Sequence, residues 1–116
     1  MEPIDPDSLA AFSGGDVSIE REILENFLRV NEVDAAQLQA AVLARELPKI
    51  EYWSHRLKGA ARMLGAQRVA DAAEAIELAS RAGDCPAVVA AADRFTTAAE
   101  VLRAWIRLRL GHSAGL

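Results

Sequence analysis

The stretch His55-Arg56-Leu57-Lys58-Gly59-Ala60-Ala61-Arg62-Met63-Leu64-Gly65 sets an imidazole on a strongly helical, amphipathic segment. At 100° per residue, Ile50, Trp53, Ser54, Leu57, Ala60, Ala61 and Leu64 gather on one side of that helix. Glu51, Tyr52, His55, Lys58, Gly59 and Arg62 share the other. His55 is therefore expected to face solvent from a rigid scaffold, with Lys58 and Gly59 one turn further along its own face. Glycine costs about 1 kcal/mol relative to alanine inside a helix, so Gly59 reads as clearance that lets a partner approach the ring. A good fraction of histidine is uncharged near neutral pH, which leaves a ring nitrogen lone pair for attack. Lys58 and Arg62 place positive charge where an added anion would sit. Together these residues fit phosphorylation of the imidazole itself, a reaction that needs mostly positioning and charge stabilisation from the protein.

Other chemistry is weaker. Glu51 and His55 form an i,i+4 pair, but two ligands without a third do not make a metal site, and His112 lies in the C-terminal tail. No metal is expected on this chain. Cys85 stands alone before Pro86, so no internal disulfide forms, and a plain structural role is expected. Trp53 and Trp105 lie on or beside inward stripes and read as core. Arg103, Arg107 and Arg109 read as a solvated face.

The elements that must hold His55 are helices. Alanine is abundant, β-branched residues are sparse and no segment alternates with period two. A short helix is expected over 5–12, ended by Gly14-Gly15. Asp16 or Ser18 can cap a long helix reaching about Ala44, its stripe starting Ile19, Ile23, Phe27, Val30 and drifting to Ala35, Leu38 and Val42. Pro48 suits the first turn of the His55 helix and Gly65 its end. A third main helix spans about 67–82, with Val69, Ala73 and Ile76 inward. Asp84 caps the last, whose seam is Val88, Ala92, Phe95, Ala99, Leu102 and Ile106. The fold class is all-α: an antiparallel up-down four-helix bundle with a short extra N-terminal helix, in one domain over 1–116. The bundle is expected at about 16–110, with a flexible tail at 111–116.

Composition bounds the setting. Hydrophobic residues make up 52% of the 116, yet no apolar run nears the roughly 20 residues that span a bilayer. The acidic N-terminus is unlike a signal peptide, so a cytoplasmic protein without membrane contact is expected. The net charge of −4 argues against nucleic acid as partner. Charge is uneven: residues 49–68 carry five bases against Glu51 alone, whereas residues 1–46 carry ten acids and three bases. The positive region around His55 suits an anionic ligand or an acidic partner face.

The His55-Arg56-Leu57-Lys58-Gly59-Ala60-Ala61 segment with Gly65 resembles the His-x-Leu-Lys-Gly-(Ala/Ser)-(Ala/Ser) signature of histidine-containing phosphotransfer (HPt) domains of multistep two-component phosphorelays. The resemblance extends over about residues 5–107, with Gly15-Asp16 before the long helix, Ile23 to Phe27 within it, and Arg81-Ala82-Gly83-Asp84 at the later junction. It implies that His55 accepts a phosphoryl group from a receiver-domain aspartate and passes it to another receiver. By the same resemblance Lys58 would assist electrostatically and Gly59 would admit the receiver; from this chain's own residues, Arg62 is expected to help stabilise the phosphoryl group, and Glu51, Tyr52 and Arg56 to line the docking face. Nε2 is the usual outward nitrogen in that family. The expected partners are receiver (response regulator) domains, with a hybrid histidine kinase as a further candidate, and the domain is expected to be a monomer. No cofactor is expected, Mg²⁺ being supplied by the receiver. Kinase dimerisation helices place an acid directly after their histidine, where this chain has Arg56, and no Gly-rich nucleotide segment is present, so a phosphocarrier without kinase activity is implied. The alternative is a non-phosphorylated helical adaptor that binds a partner through the same face.

Overall fold

Several helix ends are set by local capping residues, although the helices that begin at Leu47 and Gln67 start without a side-chain cap. The computed structural model describes residues 3–113, with side chains through Gly111. The helices are α1 (Pro6–Ser13), α2 (Val17–Leu43), α3 (Leu47–Leu64), α4 (Gln67–Arg81) and α5 (Cys85–Ser113), with no strand among the described residues. Asp5 caps α1, and Asp16 caps α2 by accepting from the N–H groups of Ser18 and Ile19. Pro48 falls in the first turn of α3, where its missing N–H does no harm. The Asp84 carboxylate accepts from Ala87 N–H at the start of α5. No described helix is long and apolar enough to cross a membrane.

Short turns force consecutive helices antiparallel. α2 packs on α3, α3 on α4, α4 on α5, and α5 returns to α2, closing an up-down bundle 46 Å long. The most extensive contact joins α3 to α4, where Ala61, Ala70 and Ala73 are fully buried and let the two backbones approach. Leu24, Phe27, Ile50, Leu57, Ile76, Phe95, Leu102 and Ile106 fill the interior. α5 continues through Gly111 to Ser113, past the expected end of the bundle at 110. Its last turns are tied to the start of α2: Arg109 donates to both Glu20 oxygens at 3.1 and 2.8 Å, and Arg21 donates to the Leu110 carbonyl at 3.1 Å. The side chain of His112 lies outside the described residues.

One stripe departs from its expected register. α2 buries Leu24, Phe27, Asn31, Asp34, Leu38 and Ala41, while Ile19 and Val30 are exposed and Ile23, Ala35 and Val42 sit at the edge. The helix is rotated so that two polar residues face inward. Asp34 can be buried because Arg56 of α3 donates to it at 3.3 Å. Trp53 and Trp105 are half-buried at the core edge, with the Arg56 guanidinium 5.6 Å from the first ring and Arg109 5.4 Å from the second.

The turns at the two ends of α3 contrast. After α3, Gly65 takes φ 79° and Ala66 N–H returns to the Ala61 carbonyl at 2.8 Å. The N-terminal segment closes over this turn: Asp5 N–H donates to the Gly65 carbonyl at 2.9 Å, and Ile4 and Leu9 are buried. A Cβ on Gly65 would sit 2.7 Å from Ser8 Cβ. Before α3, the same left-handed position is filled by Arg45 at φ 54°, with Glu46 N–H returning to the Ala41 carbonyl at 3.0 Å. Left-handed backbone costs a non-glycine residue about 1–2 kcal/mol. Thermal or urea unfolding should therefore show Gly65→Ala less stable by about 1–3 kcal/mol, from overpacking and backbone strain together. Arg45→Gly should be neutral or more stable by up to about 1 kcal/mol, since glycine relieves the strain but loses more chain entropy.

Candidate functional site

α3 presents His55 midway along its length because Pro48 starts the helix two turns earlier and Gly65 stops it after Leu64. The buried Ser54 is satisfied within the helix, its hydroxyl donating to the Ile50 carbonyl at 2.7 Å. The His55 side chain is 65% exposed. Gly59 lies one turn on, with nothing within 4 Å of where a Cβ would stand, so the helix surface beside the ring is bare.

The imidazole is not free to rotate. Its Nδ1 lies 2.7 Å from Oε2 of Glu77, on α4, a carboxylate whose side chain is 1% exposed. Lys58 Nζ donates to Oε1 of the same carboxylate at 2.5 Å, and Arg81 Nη2 donates to Oε2 at 2.9 Å. Arg81 reaches back to α3 as well, donating from Nε to Glu51 Oε1 at 2.9 Å. Burial by itself disfavours the Glu77 anion. The hydrogen bonds from Lys58 and His55, with the positive charges of Lys58 and Arg81, outweigh that penalty and hold the carboxyl below its usual range.

An ionised carboxylate only accepts hydrogen bonds. Nδ1 must therefore carry the proton, and in the neutral ring the Nε2 lone pair points away from the Glu77 contact. A rigid, partly exposed nitrogen nucleophile results. If the ring gains positive charge on reacting at Nε2, Glu77 is in place to stabilise it.

The remaining residues singled out from the sequence distribute around this centre. Glu51 serves Arg81, which leaves it no common site with His55. Among the described residues no group of three or more His, Cys, Asp or Glu side chains could hold a metal ion. Tyr52 is exposed and packs edge-on against Trp53 at 4.9 Å between ring centroids. Arg56 is committed to Asp34, whose carboxylate favours its charged form and raises its already high pKa. Arg62 stays on the surface, 3.3 Å from Glu74 of α4. Lys58 differs from expectation. Its side chain is only 13% exposed and turns toward α4 rather than into solvent, because the buried Glu77 attracts it.

Glu77 and Arg81 were not singled out as site residues from the sequence. The available signal was a periodic one: Ala70, Ala73, Glu77 and Ser80 recur at helical spacing and all are buried, so an acid interrupts an inward face. Such an acid needs a cation from another helix. Beyond Gly59, toward α2, a groove of about 250 Å³ is walled by Phe12, Val30, Ala60 and Met63. Phe12 and Met63 are largely exposed there.

The chain is 33% identical over 109 residues to the virulence sensor protein BvgS of Bordetella bronchiseptica, covering 89% of this chain and 9% of that protein. The BvgS of Bordetella parapertussis matches to the same extent, again with 89% of this chain and 9% of the relative covered. The chain thus spans about a tenth of the length of these relatives. No solved structure matches at a significant level. The Hpt domain profile matches residues 22–105, a span that starts inside α2, takes in His55, Lys58, Glu77 and Arg81, and runs almost to the end of α5. With a match over most of its length, the chain belongs to the Hpt domain family.

Proposed function

We propose that the chain is a phosphorelay intermediate in which His55 Nε2 accepts a phosphoryl group from a receiver-domain aspartyl phosphate and hands it to a second receiver. Family membership supports the relay role. The observation that carries the assignment to His55 is its Nδ1 contact with the buried, ionised Glu77, beside the bare surface at Gly59.

In the forward step the Nε2 lone pair attacks phosphorus as the P–O bond to the aspartate breaks and the carboxylate leaves. The ring keeps its Nδ1 proton and becomes a phosphorylated, positively charged imidazole, paired with Glu77. That same proton makes the ring a better leaving group when the next aspartate attacks, so one hydrogen bond serves transfer in both directions. Mg²⁺ belongs to the receiver. Lys58 holds Glu77 and adds positive charge one turn from the ring, while Arg62 adds charge at the rim. Tyr52, Arg56 and Glu51 border the docking face, and the groove beyond Gly59 takes apolar side chains of the receiver. The domain works in this reading as a monomeric phosphocarrier without kinase activity, on the cytoplasmic side, where receivers of a sensor system operate.

Two measurements test this reading. Incubated with phosphorylated receivers, the wild type should take up an acid-labile, alkali-stable label, and His55→Gln should take up none. The substitution should cost less than about 1 kcal/mol, because Lys58 and Arg81 still satisfy Glu77. Label on the His55→Gln protein would exclude the assignment.

Gly59→Gln should fold with equal or greater stability, gaining up to about 1 kcal/mol in helix propensity with no neighbour to clash. Transfer from a receiver should nevertheless slow by at least tenfold, since the new side chain stands between the aspartate and Nε2. Unchanged single-turnover rates would show that the bare surface has no part in docking.

A further inference from the structure

Among the described residues, Arg81 is the one cation that shares an oxygen with the reactive histidine. Its Nη2 and His55 Nδ1 both donate to Glu77 Oε2, at 2.9 and 2.7 Å, whereas Lys58 takes Oε1. The sharing has a chemical consequence. A carboxylate beside an imidazole fixes its orientation, but it also favours the imidazolium, which has no lone pair and cannot accept a phosphoryl group. A second donor on the same oxygen withdraws part of that negative charge. Orientation is then kept while the pull toward the protonated ring is reduced.

We propose that Arg81 is a positioning residue which, through Glu77, tempers the pull of that carboxylate on the His55 ring and so supports its nucleophilic form. The proposal rests on His55 being the phosphoacceptor. The geometry favours this role over a merely structural tie. Arg81 is half in solvent and Glu51, its other partner, is similarly exposed, so their mutual ion pair adds little to stability. Its bond to Glu77 is different, because that acceptor is buried and touches the reactive ring. The other charged groups nearby are already matched. On α3, Arg62 pairs with Glu74 of α4 and Arg56 with Asp34 of α2, and Glu77 draws its ion pairs from His55 and Lys58 of α3 and Arg81 of its own helix.

The sign of the effect follows. Without Arg81, Glu77 Oε2 presents more negative charge to Nδ1, the imidazolium is favoured, and the pH at which half the rings are neutral moves up. Acceptance should fall at neutral pH and recover in alkali. Loss of a merely structural contact would lower the rate by the same factor at every pH.

The test compares wild type, Arg81→Gln and Arg81→Lys by two readouts. One is the titration of the His55 ring followed by ¹⁵N NMR, assigned by the signal lost in His55→Gln. The other is the rate of phosphorylation by phosphoramidate between pH 6 and 9. In that reaction Nε2 attacks phosphorus, the P–N bond of the donor breaks, and ammonia leaves from the protonated amine. No receiver is involved, so docking does not enter. For Arg81→Gln the titration midpoint should move up, with a roughly threefold to tenfold slower rate at pH 7 that closes on wild type near pH 9. Arg81→Lys should restore much of both, because an ammonium can also donate to Oε2. Superimposable titrations, or a rate deficit constant across pH, would overturn the role of Arg81. A wild type that takes label from neither phosphoramidate nor receivers would instead remove the phosphoacceptor reading itself.

Discussion

A carboxylate buried between two helices and compensated by three donors is the interaction on which the functional surface depends. Glu77 is almost wholly excluded from water, and an isolated anion there would cost several kcal/mol. Lys58 from α3, Arg81 from α4 and the imidazole N–H of His55 remove that cost together. Each of the three is held in return. Lys58 is drawn out of solvent, Arg81 bridges back to Glu51, and the imidazole presents one defined edge outward. The site is thus a charge-balance problem whose solution fixes the orientation of the imidazole.

The bundle makes that solution available. Small residues at the α3–α4 contact, among them Ala61, Ala70 and Ala73, bring the two backbones close enough for side chains of modest length to meet across them. The N-terminal segment and α1 close over the Gly65 turn at the end of the same helix pair. Rigidity around His55 therefore comes from both directions: buried packing beneath the ring and a docked strap at the helix end. The bare surface at Gly59 is a local gap in an otherwise well-filled face.

Much of this was legible in the residues. Helix ends are local events, so Asp16, Pro48 and Gly65 mark them directly, and the ends found lie within a residue or two of those expected, except that α5 runs three residues past 110. The exposure of His55 and Gly59 followed from the 100° rotation between residues. What periodicity could not supply was tertiary compensation. Asp34 turns inward on α2, and Ile19 and Val30 outward, because Arg56 of another helix makes a buried Asp34 tolerable. Lys58 turns away from solvent for the same kind of reason, its partner lying 19 residues along the chain. A helical wheel knows nothing of that partner. The acid at position 77, on an otherwise buried face, was the available sign that such a cation had to exist.

The central claim is that Glu77 fixes the proton on Nδ1 and so leaves Nε2 as the reactive atom. Its most direct test is to identify the phosphorylated nitrogen in ¹⁵N-labelled protein by ³¹P–¹⁵N coupling, after transfer from a phosphorylated receiver. Phosphorus coupled to Nε2 of His55, with Nδ1 still protonated, is the predicted result. Phosphorus on Nδ1 would show that the Glu77 contact is broken in the reacting state, and would contradict the account.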